Sequence, residues 1–233
     1  MRLFCLPHAG GGALAYYPWT AELPPYVQLC PVLLPGRETR LSEALYTDIV
    51  PLVDAMDLEL RPWLDIPYAV FGHSMGALLA FEWVRSIQRE LHSAPAWLFL
   101  SGRRAPDAPG ETHLLSSLPD SEFVKKLAHL YDGIPQEFLE NETFMEVFLP
   151  ILRADIAVVE SYRFQKGEPL DCPITVFAGA EDASVTWGQM LDWKRQTRRH
   201  FALKILPGEH FYPQGPLLAT ISATLAELVS QLG

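Results

Sequence analysis

Three side chains in this 233-residue chain have the types and placement to activate a hydroxyl for attack on a carbonyl: Ser74, Asp182 and His210. Ser74 lies in Gly72-His73-Ser74-Met75-Gly76, a G-x-S-x-G pattern. A serine hydroxyl is a poor nucleophile near neutral pH. It needs a base within hydrogen-bond reach, and that base needs an acid to orient it. Seven histidines are available. His210 stands out because it follows the apolar run Phe201–Leu206, in the loop Pro207-Gly208-Glu209-His210-Phe211. His73 adjoins the serine, but the turn should aim it elsewhere. His8 is expected to order its own glycine-rich loop. His92, His113, His129 and His200 read as packed or solvated residues of helices and turns. Asp182 sits just beyond the apolar run Ile174–Ala178; Glu181 competes for the role of acid, with Asp155 and Asp171 as distant alternatives.

Such a constellation needs a scaffold that brings strand ends together. Tyr68-Ala69-Val70-Phe71 reads as a buried strand, and the residues from Met75 to Arg85 carry apolar side chains at helical spacing. Strand, serine in a tight turn, then helix is the context of a nucleophile elbow. Gly72 and Gly76 permit the close approach of strand and helix that the turn requires. The helix N-terminus beside the hydroxyl favours developing negative charge. Arg2–Leu6 reads as a first strand, followed by Pro7-His8-Ala9-Gly10-Gly11-Gly12. This loop lacks the Lys-Ser/Thr of a phosphate loop and the G-x-G-x-x-G of a dinucleotide site. It suits an oxyanion hole, where a backbone N–H must face the reacting carbonyl.

Further strands are expected at Val27–Leu34 and Ala96–Leu100, with a helix over Tyr46–Leu60 between them. Strands alternating with helices imply a mostly parallel central sheet with helices on both faces. Residues 105–164 break the alternation. They contain helical patterns near Phe123–Leu130 and from Asn141 past Val159, with Pro150 expected to kink or divide the second, and read as an inserted helical lid. The alternation then resumes, with helices expected at Thr186–Arg199 and Pro216–Leu232. The whole is one domain, residues 1–233, and the chain order Ser74, Asp182, His210 is that of an α/β-hydrolase fold.

Composition bounds the function. A formal net charge of −10 argues against general nucleic-acid binding, and no apolar stretch is long enough to span a bilayer. The N-terminal residues lack the apolar core of a secretion signal. Cys5, Cys30 and Cys172 are odd in number and lie in or beside strand-like runs, so free thiols in a reducing cytoplasm are expected. No metal-ligand spacing is present.

Pro7-His8-Ala9-Gly10-Gly11-Gly12, Leu34-Pro35-Gly36-Arg37, Gly72-His73-Ser74-Met75-Gly76-Ala77, Leu152-Arg153-Ala154-Asp155 and Gly208-Glu209-His210-Phe211 occur in this order along nearly the whole chain. Together they resemble a type II thioesterase of polyketide and nonribosomal peptide biosynthesis. Glu209 stands where family members often have a glycine. The resemblance implies hydrolysis of acyl groups from the phosphopantetheine arm of an acyl or peptidyl carrier protein. That arm comes with the substrate, so no cofactor or metal is expected, and the protein is expected to act as a monomer. In this mechanism Ser74 attacks, His210 shuttles the proton, Asp182 orients His210, and the amides of Ala9 and Met75 hold the oxyanion. Phe123, Leu127, Phe144, Val147, Phe148 and Ile151 are candidates for an acyl pocket. Lys194, Arg195, Arg198 and Arg199 gather positive charge near an expected helix end, and Arg195 and Arg198 are candidates for docking an acidic carrier protein. The competing readings are a medium-chain fatty-acyl thioesterase, a general serine esterase and a hydrolase-fold protein that only binds.

Overall fold

The computed structural model describes residues 1–108, 114–131, 141–212 and 214–232. Six strands make one sheet: β1 (Arg2–Leu6), β2 (Gln28–Pro31), β3 (Tyr68–His73), β4 (Trp97–Ser101), β5 (Ile174–Gly179) and β6 (Phe201–Leu206). Their spatial order is β2-β1-β3-β4-β5-β6, and every pairing is parallel. Parallel neighbours point all carboxyl ends to one edge, which is where ligands bind in open α/β sheets. β3 lies at the centre, between β1 and β4, so its carboxyl end delivers Ser74 to the middle of that edge.

Period-two alternation splits each strand between two cores. Phe4 and Leu6 of β1, Tyr68 and Val70 of β3, and Leu98 and Leu100 of β4 face one side. There they meet α1 (Ile49–Leu60) and α2 (Met75–Leu91), with Trp83 fully buried and edge-on to Phe4. Leu3, Cys5, Ala69, Phe71 and Phe99 face the other side. They pack against the 3-10 turn Ala13–Ala21 and the helix Gln214–Leu232. Each fully buried Leu, Ile or Phe contributes roughly 1.5–3 kcal/mol by leaving water. The strands are near-continuous apolar runs because both faces are covered.

The block between β4 and β5 holds α3 (Asp120–Tyr131) and α4 (Glu142–Ser161). The block has a small core of its own, Leu115, Phe123, Leu127, Leu152 and Ile156. Arg153 braces it by donating to the carbonyls of Ser116 and Leu118 and stacking over Phe123, and Glu160 accepts from the Ser116 hydroxyl. The last turns of α4 leave this cluster and join the main core through Val158, Val159 and Tyr162.

Several expected boundaries shift. β2 is shorter than Val27–Leu34, and α1 starts at Ile49, where Asp48 caps it by accepting from the Val50 amide. Pro150 does not divide α4, which runs unbroken from Glu142 to Ser161. Residues 146 and 150 are both exposed, so water can satisfy the Glu146 carbonyl that loses its donor. The helix expected over Thr186–Arg199 ends early. α5 spans Trp187–Leu191, a 3-10 turn follows over Asp192–Gln196, and Thr197 forms a parallel bridge with Leu170. That pairing pulls the chain out of the helix. α6 covers Gln214–Leu232. No helix among the described residues is long and apolar enough to cross a membrane.

Candidate active site

Ser74 leaves β3 with φ 54° and ψ −112°, outside the regions that L-residues favour. The surroundings hold this strained turn. Ser74 N–H donates to the Ser101 carbonyl on β4 at 2.8 Å, and the Ala77 amide donates to the Ser74 carbonyl at 3.1 Å. A Cβ on Gly76 would lie 2.2 Å from the Leu6 carbonyl oxygen, and one on Gly72 would lie 2.1 Å from that of Gly76. Both clashes are with backbone and cannot be relieved by a rotamer change. Two strands and the first turn of α2 are therefore in contact at the elbow, and that contact raises the serine above the sheet.

Asp182 and His210 come from the loops after β5 and β6 and meet in a buried pair. His210 Nδ1 lies 2.9 Å from Asp182 Oδ2, and their side chains are 4% and 1% exposed. Ser184, which was not among the sequence candidates, completes the carboxylate. Its amide and hydroxyl donate to Asp182 Oδ1 at 2.9 and 2.5 Å. Burial raises the Asp182 pKa, but the hydrogen bonds from His210 and Ser184 outweigh it and hold the carboxyl below its ordinary value. With Nδ1 donating to an ionised Asp182, Nε2 carries the lone pair, which is the tautomer a general base requires.

The competing acids are engaged elsewhere. Glu181 accepts from the Gly208 amide at 2.5 Å and braces the loop that carries His210. Asp171 pairs with Arg199, and Asp155 is locked to Arg37.

Ser74, Met75 and His210 line one cavity of about 130 Å³ together with His8, Ala9 and Gly10. Its remaining wall is largely apolar: Leu127, Phe148, Leu152, Ile156, Val159 and Phe211, with Arg103 at one side. Of the six acyl-pocket candidates, Leu127 and Phe148 line it. Phe123 is buried in the small core under Arg153, Phe144 stacks on Phe148, Val147 is exposed and Ile151 is buried elsewhere. The Gly10 amide donates to Asp155, whereas no acceptor among the described residues takes the Ala9 amide. Met75 is the first residue of α2, so its amide is one of the helix's initial N–H groups, which have no intrahelical acceptor.

The other histidines divide as their positions dictate. His73 turns away from the serine and reaches Ser101 Oγ at 2.7 Å, while Ser101 also meets the Tyr212 hydroxyl. His8 packs edge-on to Phe211, and its carbonyl accepts from the Gly11 amide at 2.9 Å. His92 caps α2, and His200 lies beside Trp97. The readings of His113 and of the His129 side chain fall outside what the structure describes.

Burial keeps His73 and His8 neutral, helped by the charge of neighbouring His210. The His8 pKa is pushed down to about 4, with Arg37 adding to the effect. A histidine depressed in the folded state binds fewer protons than in the unfolded chain. Stability is therefore full above the unfolded pKa and is lost as pH falls from there toward the folded one. Between about pH 7 and pH 5, His8 alone should cost roughly 2 kcal/mol. Urea melts at the two pH values should show His8→Gln losing about that much less than wild type over the same interval.

The basic cluster on the far side differs from expectation. Because the helix ends at Leu191, Lys194, Arg195, Arg198 and Arg199 do not flank one helix C-terminus. Arg195 bonds Asp107 and Asp192, Arg198 bonds Glu168, and Arg199 bonds Asp171. Each of these arginines is paired with a carboxylate and stays about half exposed, so docking through Arg195 and Arg198 remains an expectation from the sequence.

Residues 1–225 match the family model described as "Thioesterase domain". The chain is 42% identical over 212 residues to the gramicidin S biosynthesis protein GrsT of Aneurinibacillus migulanus, covering 91% of this chain and 82% of that one. Among solved structures it resembles ClbQ from the colibactin NRPS/PKS pathway, with a TM-score of 0.92 and 34% identity over 100% of this chain and 99% of that one. It also resembles the type II thioesterase BorB from the borrelidin biosynthetic cluster, with a TM-score of 0.83 and 34% identity over 97% and 89% of the two chains.

Proposed function

Since the chain belongs to the thioesterase domain family, as a type II thioesterase of nonribosomal peptide and polyketide pathways, we propose that it removes acyl groups from the phosphopantetheine arm of a carrier protein with Ser74, His210 and Asp182 as its catalytic triad. The observation that carries this reading is the buried Asp182–His210 pair, whose His210 lines the same cavity as Ser74.

The steps follow from that placement. His210 Nε2 takes the Ser74 proton as the oxygen attacks the thioester carbonyl. The oxyanion lies against the amides of Ala9 and Met75, at the N-terminus of α2. The tetrahedral intermediate collapses, and the thiol of the arm leaves with the proton that His210 returns. Water then attacks the acyl-enzyme, with His210 again as base, and the acid departs. Asp182 stabilises the imidazolium in both halves without taking the proton. Each step uses side chains and amides of this chain alone.

The apolar wall of the cavity, Leu127, Phe148, Leu152, Ile156 and Val159, suits the hydrocarbon of an acyl group. Rates should be compared on acyl carrier proteins, N-acetylcysteamine thioesters and oxygen esters of equal acyl length. The expected result is faster hydrolysis of the carrier thioester than of the matched oxygen ester. A preference for longer chains favours the medium-chain fatty-acyl reading. Equal rates on thioester and oxygen ester favour a general esterase.

A further inference from the structure

Two motifs of the sequence have no part in the triad: Leu34-Pro35-Gly36-Arg37 and Leu152-Arg153-Ala154-Asp155. Their charged ends, 118 residues apart, meet in a buried bidentate ion pair. Arg37 Nη1 and Nη2 donate to Asp155 Oδ2 and Oδ1, each at 2.7 Å, and the side chains are 7% and 3% exposed. The pair also reaches the glycine-rich loop beside the serine. Asp155 Oδ2 accepts from the Gly10 amide at 2.7 Å, and Arg37 Nη1 donates to the Gly11 carbonyl at 3.0 Å.

We propose that Arg37 and Asp155 are positioning residues for the oxyanion loop: an ionic clamp that fixes the Ala9 amide by holding the Ala9–Gly10 and Gly11–Gly12 peptide units that follow it. The proposal rests on the reading of Ala9 as an oxyanion donor.

Four constraints converge on this short loop. The Gly11 amide is tied to the His8 carbonyl, the Gly10 amide to Asp155, and the Gly11 carbonyl to Arg37. Gly10 itself adopts φ 75°, and a Cβ there would sit 2.9 Å from the Phe148 ring. The Gly10 N–H is consumed by the carboxylate, so it cannot serve the oxyanion, and Ala9 is left as the loop's donor. An oxyanion hole works only when its donors are held in place before charge develops. A free Gly-Gly-Gly segment would not hold them, because glycine populates more backbone conformations than any other residue. Asp155 is carried by α4, whose Leu152, Ile156 and Val159 form the cavity wall, so the same helix shapes the acyl site and anchors the donor loop.

A structural role alone and a positioning role separate when the pair is replaced rather than broken. Removing one partner strands a buried charge and destabilises the fold, whereas two apolar residues of similar volume preserve it. The Arg37→Met/Asp155→Leu double variant should therefore melt close to wild type. It should still lose kcat on a small thioester by on the order of a hundred-fold, with KM within about threefold of wild type. Asp155→Asn keeps an oxygen to accept from Gly10 and should lose less kcat than the double variant. Recovery of both melting temperature and kcat in the double variant would overturn the proposal, as would a raised KM with unchanged kcat. A second measurement needs no turnover. Hydrogen exchange at the Gly10 amide should be slow in wild type and accelerate on the order of a hundred-fold in the double variant. Equal protection in both would refute the clamp. Failure of Ser74→Ala to abolish turnover would instead refute the catalytic reading and leave the exchange result to judge the clamp.

Discussion

Replacing Ser74 with alanine should lower turnover of an acyl thioester by roughly ten-thousand- to a million-fold while the protein melts within a few degrees of wild type. The two effects separate because different atoms are responsible for them. Residue 74 is held by its backbone, through its N–H to Ser101 and its carbonyl to Ala77. Alanine keeps both bonds and accepts the same φ of 54° at a strain close to that of serine. The hydroxyl is the only group lost, and in the proposed mechanism it is the attacking nucleophile. Intact mass spectrometry gives the check. Wild-type protein mixed with an acyl thioester should show a transient mass increase equal to the acyl group, and Ser74→Ala should show none. An adduct that persists in the variant would place the nucleophile elsewhere.

Asp182→Asn is expected to reduce kcat by about a thousand- to ten-thousand-fold, and Glu181→Gln by less than about threefold. Asp182 receives three donors: the Ser184 amide, the Ser184 hydroxyl and His210 Nδ1. An asparagine has only one acceptor oxygen. If that oxygen serves Ser184, the new NH₂ group faces His210 Nδ1 and selects the tautomer with the proton on Nε2, which cannot accept from Ser74. Glutamine at 181 still offers an oxygen to the Gly208 amide. Steady-state kinetics with KM reported separately checks both, since the Asp182 effect should lie in kcat. A larger loss at Glu181 than at Asp182 would exchange their roles.

The parts of the site legible in the sequence are those whose geometry is local. A strand, a tight turn and a helix declare the elbow within a dozen residues, and the apolar runs before Asp182 and His210 place both at the sheet's carboxyl edge. What stayed ambiguous depended on long-range contacts. Glu181 and Asp182 are adjacent and chemically alike, and only the positions of Ser184, Gly208 and His210 separate them. A helical apolar stripe on α4 marks a buried face but does not say whether it faces the small core or the cavity. Of the acyl-pocket candidates Leu127 and Phe148 line the cavity, and Leu152, Ile156 and Val159, which the sequence pattern did not mark, line it with them. Arg103 and Phe211 gave no signal beyond lying next to strand ends. The Arg37–Asp155 pair was visible only as two separate motifs. The overlong helix after Thr186 failed because the Thr197–Leu170 pairing overrode local propensity.

The two borders of the sheet have a bearing on how the protein behaves in crowded solution. A long flat strand with a free side is a template on which other chains can stack, the usual start of aggregation. Here β2 has only four residues and finishes on Pro31, which has no N–H to offer an incoming strand. β6, at the opposite border, carries the exposed Lys204, a charge that an added strand would have to desolvate. The short, proline-ended β2 and the charged β6 both disfavour growth by strand addition.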